Sequence, residues 1–317
     1  MMRAQLIGVG AYLPPQRVDN AMLAERLDTN DEWIRQRTGI AARRIAAPEQ
    51  LTSDLATEAA RAALKNAGID AAALDRIIVA TTTPDRTFPA TAALVQAKIG
   101  AANAAAFDIQ AVCSGFLYGL SLVEALIQSG QAKTVLLIGA ETMTRLLDWT
   151  DRGTAILFGD GAGAFVFKAG QGDAGILATR IHSDGRHAGE LTTDGGASQG
   201  TIGTLRMNGK EVFRHAVQNL SDVAMETCAA AGLPLNAVDW LVPHQANARI
   251  IEQVAQRVGI PAEKIIVTVS EHGNTSAASV PLAFAEAWYD GRIKPGQVVL
   301  CEAMGGGFTW GGCVLRI

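Results

Sequence analysis

The chain carries a weak internal repeat, and this repeat restricts the folds that it can adopt. Two pairs of segments correspond at spacings of 161 to 164 residues: 67–79 with 231–242, and 130–138 with 291–301. Each segment leads from a glycine turn into an apolar run of the kind found in buried strands. We therefore predict an α/β protein built from two duplicated halves, residues 1–170 and residues 171–317.

The length and charge of the chain agree with this prediction. A chain of 317 residues exceeds the size at which a single core stops growing. Its net charge of −4 argues against nucleic-acid binding, and its apolar runs are too short to span a membrane. The N-terminal residues lead into a strand-like segment rather than a signal peptide, and the cysteines show no disulfide framework. We expect a cytoplasmic protein that binds neither nucleic acid nor membranes.

Three polar segments stand out in this apolar, glycine-rich background, at residues 111–115, 243–247 and 272–276. Each follows or closes an apolar run that we predict to be a buried strand: 106–109, 240–242 and 265–269. The segments contain Cys113, His244 and Asn274, which are a thiol nucleophile, an imidazole and a carboxamide donor. At a spacing of 161, Cys113 falls on Asn274, so the two would occupy equivalent corners of the two halves. Because α/β sheets keep their sites at strand ends, we expect the three side chains to converge.

Cys113 is the predicted nucleophile. It precedes a long apolar stretch that ends at Gly130, so we place it at the N-terminus of a buried helix. The helix dipole there favours a thiolate. The other cysteines stand at no metal-ligand spacing and are predicted to be core residues: Cys228, Cys301 and Cys313.

A glycine-rich run at residues 159–163 invites a nucleotide-binding interpretation, which the residues after it argue against. A dinucleotide fingerprint opens a helix, whereas the apolar run 164–167 is typical of a strand. We predict that these glycines allow close packing in the core. The histidines outside the three polar positions have no comparable motif around them: His182, His187, His215 and His272.

The polar motifs resemble those of bacterial 3-oxoacyl-[acyl-carrier-protein] synthase III, the condensing enzyme that starts type II fatty-acid synthesis. The resemblance rests on the order of Cys113, His244 and Asn274 and on the runs around them, and it extends to residues 31–40, 150–154 and 305–311. It implies the thiolase fold, in which two βαβαβαββ halves form a five-layered αβαβα sandwich and the protein works as a homodimer. Asparagine at position 274 matches an initiating, CoA-primed enzyme better than an elongating synthase or a degradative thiolase.

The resemblance also implies the reaction. Cys113 would accept the acyl group of acetyl-CoA or another short acyl-CoA, with the backbone N–H groups of Cys113 and Gly307 holding the oxyanion. His244 and Asn274 would then stabilise the enolate that forms when malonyl-acyl carrier protein (malonyl-ACP) loses carbon dioxide. The product would be 3-oxoacyl-ACP, and neither a metal ion nor a cofactor is expected.

Binding roles follow from the same resemblance. The residues expected to hold CoA and its pantetheine arm are Trp33, Arg37, Arg152, Gly209 and Asn247. Phe88 is expected to reach the acyl pocket of the partner subunit and so to favour a small primer. The residues expected to meet the acidic surface of the carrier protein are Arg214, Gln245, Arg249 and Arg257.

Three alternatives remain at this point. A papain-like cysteine hydrolase also orders Cys, His and Asn, but it has a different sequence around its cysteine. A non-catalytic paralogue would have lost at least one of the three groups, and all are present. A close relative that primes polyketide or quinolone synthesis with a different acyl-CoA is the strongest competitor. Trp149 stands where we expect a smaller residue, so the primer length stays open.

Overall fold

A computed structural model describes residues 2–317. The strands are β1 (Met2–Tyr12), β2 (Gln16–Asp19), β3 (Ala42–Ile45), β4 (Arg76–Ala80), β5 (Ala105–Ile109), β6 (Thr134–Thr142), β7 (Asp160–Gln171), β8 (Gly175–Ser183), β9 (Leu191–Thr193), β10 (Leu205–Met207), β11 (Trp240–Pro243), β12 (Val298–Gly305) and β13 (Thr309–Arg316). The helices are α1 (Asn20–Ala24), α2 (Asp31–Thr38), α3 (Thr52–Ala67), α4 (Thr91–Ile99), α5 (Gly115–Gln128), α6 (Arg152–Ala155), α7 (Gly209–Ala230), α8 (Ala248–Val258), α9 (Val269–His272) and α10 (Ser279–Tyr289).

Two mixed sheets form the framework. The first has the strand order β1-β7-β6-β4-β5, and the second has the order β11-β12-β13-β8. Each contains a parallel neighbour pair followed by antiparallel strands: β4 lies parallel to β6, and β11 lies parallel to β12. Ile77 is opposite Leu136 in the first sheet, and Leu241 is opposite Leu300 in the second. The two sheets therefore repeat one arrangement, as the internal repeat predicts.

Helices α5 and α10 lie between the two sheets. Their apolar residues form one core with the inner faces of both sheets. Phe165 of β7 makes the central contact, with its ring 4.9 Å from that of Phe116 on α5 and 4.7 Å from that of Phe284 on α10. Helices α3 and α4 cover the outer face of the first sheet, and α7 and α8 cover that of the second. The predicted five-layered αβαβα sandwich is confirmed.

The glycine run at residues 159–163 packs against the second half. A Cβ atom on Gly159 would lie 2.5 Å from the carbonyl oxygen of His272, and one on Gly163 would lie 2.7 Å from Cβ of Pro281. Such contacts leave no room for a side chain. The segment continues as strand β7 rather than as a helix. The packing role predicted for these glycines is confirmed.

The prediction of a strand at residues 265–269 is wrong. Ile265 makes only an isolated bridge to Leu241, and the next amide, of Ile266, donates to the Leu241 carbonyl at 2.9 Å. The following amides, of Thr268 and Val269, donate to Oε1 of Gln245 instead of to a strand. The side-chain amide thus ends the pairing after one bridge. Within residues 2–317, none of the helices combines the length and the apolar character that crossing a membrane requires.

Candidate active site

One cavity brings the three predicted groups together. It has a volume of about 120 Å³, and Cys113, His244 and Asn274 line it with a mostly apolar wall. Cys113 lies just before α5, His244 directly follows β11, and Asn274 lies in the loop between α9 and α10. The sequence places these residues far apart, and the two halves of the fold bring them to one point.

Cys113 lies in a short 3₁₀ turn, residues 112–114, that runs into the N-terminus of α5. Only 3% of its surface is exposed. Burial raises the pKa of the Cys113 thiol to about 12; the Ser276 side chain acts in the opposite direction, and the negative charge of Glu141 adds to the rise. We expected the helix dipole to favour a thiolate. In the structure burial is the largest influence on this pKa and raises it, so the neutral thiol is favoured over the thiolate.

The C-terminal glycine run approaches the Cys113 backbone closely. A Cβ atom on Gly305 would lie 2.5 Å from the Cys113 backbone nitrogen, so only glycine fits at this position. Gly307 follows with φ = 130°, a conformation that favours glycine. The next residue, Phe308, is fixed by two backbone hydrogen bonds with Asp184, of 2.8 and 2.9 Å. The run is therefore held in place beside the thiol and is not a flexible turn.

His244 is buried and neutral. Burial lowers its pKa to about 3. Its Nδ1 atom lies 2.6 Å from Oγ of Ser279, and the same oxygen accepts the backbone N–H of Gln245 at 3.4 Å. A serine hydroxyl can accept and donate at once, and we assign its proton to Nδ1 of His244. The arrangement places the imidazole proton on Nε2, which is then a donor to a ligand in the cavity.

Asn274 is oriented by the backbone around it. Its N–H donates to the Leu157 carbonyl at 2.8 Å, and its carbonyl accepts the Gly159 N–H at 3.0 Å. The side-chain Oδ1 accepts the Ser276 N–H at 2.9 Å. With Oδ1 occupied, the carboxamide presents its Nδ2–H group as a donor.

Two of the five residues expected to hold CoA and pantetheine line the cavity. Gly209 begins α7 there, and Asn247 caps α8 by accepting the Arg249 N–H at 2.9 Å. The other three form a separate surface cluster, in which the Trp33 ring lies 4.5 Å from the Arg37 guanidinium carbon and 5.0 Å from that of Arg152. Helix α2, which carries Trp33 and Arg37 on one face, begins after Asn30, whose side chain accepts the Trp33 N–H.

The acyl-pocket residue Phe88 lies in a loop outside the cavity of its own chain, and 81% of its surface is exposed. Trp149 is partly buried against the apolar cluster that forms one wall of the cavity. Arg26 lies over the other side of the Trp149 ring, at 5.7 Å. Trp149 therefore packs behind this wall and does not itself line the cavity.

One of the four carrier-protein residues is misassigned. Gln245 is 1% exposed, and its side chain bonds to the carbonyls of Pro243 and Ile266 and to two backbone amides. The side chain braces this region from inside, and its burial argues against a role on the surface that receives the carrier protein.

The three arginines are exposed on α7 and α8, as predicted. Arg214 pairs with Glu211 at 2.7 Å, and Arg257 lies 3.8 Å from Asp222. Arg249 lies over the ring of Phe213 at 5.6 Å, and that ring lines the cavity. Arg249 is therefore the arginine of this group most directly connected to the cavity.

The structure adds three polar residues that we did not predict: Glu141, Ser276 and Ser279. The two serines lie at residues 272–281, in and directly after the polar segment that contains Asn274, so the sequence does carry a signal for them. Glu141 closes an apolar strand far away in the sequence and carries no motif.

Known proteins resemble this chain in sequence and in fold. The family described as 3-oxoacyl-[acyl-carrier-protein (ACP)] synthase III matches residues 107–185, and its C-terminal counterpart matches residues 228–317. The chain is 59% identical to beta-ketoacyl-[acyl-carrier-protein] synthase III of Rhodospirillum rubrum, with 100% of each chain covered. It is similar to the crystal structure of 3-oxoacyl-[acyl-carrier-protein] synthase III from Aquifex aeolicus, with a TM-score of 0.95, 46% identity and coverage of 99% and 100% of the two chains. It is also similar to the priming beta-ketosynthase of the R1128 polyketide pathway, with a TM-score of 0.94, 36% identity and coverage of 99% and 96%.

Proposed function

The chain belongs to the 3-oxoacyl-[acyl-carrier-protein] synthase III family, and we propose that it catalyses the condensation that initiates fatty-acid synthesis. It is an acyltransferase that joins acetyl-CoA, or another short acyl-CoA, to malonyl-ACP. The products are 3-oxoacyl-ACP, CoA and carbon dioxide. The observation that carries the proposal is the shared cavity of one thiol and two neutral hydrogen-bond donors.

The first half-reaction transfers the acyl group to Cys113. The sulfur attacks the thioester carbonyl, and the backbone N–H groups of Cys113 and Gly307 hold the resulting oxyanion. The Gly305 contact supports this role because it keeps the glycine run against the Cys113 amide. When the tetrahedral intermediate collapses, the carbon–sulfur bond to CoA breaks. The proton of the buried thiol leaves with CoA, so both thiols are accounted for.

The second half-reaction begins when malonyl-ACP occupies the same cavity. Loss of carbon dioxide leaves an enolate, whose oxygen accepts from Nε2 of His244 and Nδ2 of Asn274. The enolate carbon then attacks the acyl-Cys113 carbonyl, and the carbon–sulfur bond to Cys113 breaks as the product forms. Solvent returns one proton to the sulfur. Each of the two donors is expected to be worth a factor of about 10² to 10³ in the rate of decarboxylation.

Substrate binding is proposed along the same cavity. Gly209 and Asn247 contact the pantetheine arm. Trp33 stacks with the adenine beside Arg152, and Arg37 meets a phosphate. The two arginines that lie 4.5 and 5.0 Å from the Trp33 ring support a role for this ring in binding a flat or cationic partner. Arg249, Arg214 and Arg257 receive the acidic carrier protein.

We propose that the protein is a homodimer in the cytoplasm. Strand β5 lies at the edge of the first sheet and is only partly covered, so a second copy can extend that sheet. Phe88, which precedes β5 in the sequence, is exposed, as expected for a side chain that enters the partner's acyl pocket. The four cysteines are free thiols, which suits a reducing compartment. The boundary between the halves is proposed after residue 170, at the end of β7 and before β8.

The second candidate is priming of polyketide or quinolone synthesis with a different acyl-CoA. The similarity to the R1128 priming ketosynthase, at 36% identity, supports it as a second candidate. Turnover with malonyl-ACP distinguishes the two when acetyl-, butyryl-, isobutyryl- and octanoyl-CoA are compared. Preference for acetyl-CoA supports fatty-acid initiation, and preference for a longer acyl-CoA supports the alternative.

The nucleophile is tested by acylation of single-cysteine variants. Cys113→Ala should abolish transfer of the labelled acetyl group from acetyl-CoA to the protein. Cys228→Ala is the matched control, since Cys228 is also buried but lies on α7 away from the cavity. Stoichiometric labelling of Cys113→Ala would refute the proposed function.

A further inference from the structure

A buried carboxylate links the two halves behind the cavity. The Glu141 side chain lies in the core, with 0% of the residue's surface exposed. From the first half it accepts hydrogen bonds from the hydroxyl of Thr81, the N–H of Thr82, and the N–H and hydroxyl of Thr83. From the second half it accepts the Ser276 hydroxyl at 3.0 Å. The carboxylate is therefore the junction between the end of β4 and the loop that carries Asn274.

Ser276 is held in a conformation that a serine rarely adopts. Its φ is 50°, in the left-handed region. Such a conformation is strained for a serine and persists only where its surroundings hold it. Two bonds hold Ser276: the hydroxyl donates to Glu141, and the N–H donates to Oδ1 of Asn274 at 2.9 Å. The bond to Glu141 thus supports the backbone geometry that turns the Asn274 carboxamide.

We propose that Glu141 is a positioning residue for the decarboxylation step, because it anchors Ser276 and thereby aims Nδ2 of Asn274 at the enolate oxygen. This inference rests on the proposed function. Glu141 does not line the cavity, yet it would act in the decarboxylation of malonyl-ACP and not in the acetylation of Cys113.

The groups that face Glu141 donate hydrogen bonds to it, so the side chain at position 141 has to be an acceptor that carries no proton. The Thr83 hydroxyl already accepts the Thr142 N–H at 2.9 Å, so its own proton is directed to Glu141. The backbone amides of Thr82 and Thr83 can only donate. A glutamine at position 141 has one acceptor oxygen and an NH₂ group that would face donors. The anchor therefore loosens in Glu141→Gln although the volume is unchanged.

The charge of Glu141 has a second, opposite effect on the site. It raises the pKa of the Cys113 thiol, while burial raises the pKa of Glu141 itself and its hydrogen bonds act against that rise. Removing the charge makes the Cys113 thiolate easier to form. A loss of Glu141 thus impairs the enolate side of the site and leaves the thiol at least as reactive.

The test compares the two half-reactions in Glu141→Gln, Ser276→Ala and the wild type. In Glu141→Gln we expect decarboxylation of malonyl-ACP to fall about 10- to 100-fold, below the loss caused by removing a donor outright. Acetylation of Cys113 should stay within about threefold, and its alkylation by iodoacetamide at fixed pH should become faster. Ser276→Ala keeps the carboxylate and the backbone N–H and should slow decarboxylation by a smaller factor. Because the Ser276 side chain lowers the pKa of Cys113, alkylation of the thiol should become slower in this variant and not faster. Glu141→Asp keeps the charged acceptor and should recover part of the decarboxylation rate.

Asp160→Asn is the matched structural control. Asp160 is equally buried and accepts from the Ala46 N–H and from the N–H and hydroxyl of Thr144, and its side chain makes no hydrogen bond to the Asn274 loop. Its loss should lower thermal stability and affect both half-reactions alike. The inference is overturned if Glu141→Gln also slows both half-reactions equally, or if a folded Glu141→Gln or Ser276→Ala retains full decarboxylation. If Glu141→Gln does not fold, Ser276→Ala decides the question. Failure of the wild type in both half-reactions would refute the proposed function and the inference with it.

Discussion

Replacing Ser279 with alanine tests whether the Ser279 hydroxyl, through its contact with Nδ1, determines the tautomer of His244. The Ser279 hydroxyl lies 2.6 Å from Nδ1, and both residues are buried. In the wild type the hydroxyl donates to Nδ1, so the imidazole carries its proton on Nε2 and can donate to the enolate. In Ser279→Ala the Nδ1 atom loses this partner in a buried site. The ring can then carry its proton on either nitrogen or rotate away from the productive position.

The magnitude follows from the cost of an unpaired buried acceptor. Leaving such a group without a partner costs about 1 to 3 kcal/mol, which corresponds to a factor of about 5 to 150 in rate. This cost makes the His244 tautomer that donates from Nε2 less favourable, and it therefore slows the decarboxylation of malonyl-ACP. Acetylation of Cys113 depends on the backbone amides instead and should change by less than about threefold.

The assay measures carbon dioxide release from malonyl-ACP and the mass of acetylated protein in parallel. Ser221→Ala is the control, because Ser221 is also fully buried but its hydroxyl donates to the Val217 carbonyl within α7. Nitrogen-15 NMR of the imidazole reports the tautomer directly. The reasoning is refuted if Ser279→Ala decarboxylates at the wild-type rate, or if the Nε2–H form persists unchanged.

Three further outcomes are expected. Arg249→Glu should reduce turnover with malonyl-ACP at least tenfold and flatten its salt dependence, while acetylation by acetyl-CoA is unchanged; equal turnover would show that Arg249 is only a solvated charge. Gly305→Ala should slow acetylation about 100-fold or more, since its Cβ would lie 2.5 Å from the Cys113 nitrogen; wild-type acetylation would contradict the close approach. Burial lowers the pKa of His272 to about 4 and that of His244 to about 3, so the folded protein binds fewer protons than the unfolded chain below pH 6.5. Urea unfolding should therefore show stability falling from pH 7 to pH 5 by about 2 kcal/mol for each histidine, and His272→Gln should remove its share.

The sequence predicts the layers of the fold because its apolar runs repeat at one spacing. The strand at residues 240–242, the helix after Cys113 and the strand after the 159–163 glycines all lie where their patterns place them. The failure at residues 265–269 has a physical cause. An apolar, β-branched run reads as a strand, but its backbone amides are taken by the Gln245 side chain. A side-chain acceptor that competes with a strand partner is not visible in periodicity.

The sequence also predicts the three polar groups, because each sits in an unusual polar run at a strand end or turn. It does not predict the groups that orient them. Glu141 and Ser276 are separated by 135 residues, and their contact exists only once the halves are packed. The thiol pKa is missed for a related reason: the helix dipole can be inferred from position, whereas the larger cost of burial depends on the surrounding layers.

The neutrality of the site has a consequence for how decarboxylation is driven. A cationic histidine would pair with the malonyl carboxylate and stabilise the substrate before carbon dioxide leaves. Burial keeps His244 neutral, so it offers a hydrogen bond and no net charge. Such a donor, like the Asn274 carboxamide, gains most when negative charge moves onto the thioester oxygen. Because only interactions that strengthen towards the transition state accelerate the reaction, two oriented neutral donors suit this step better than a cation.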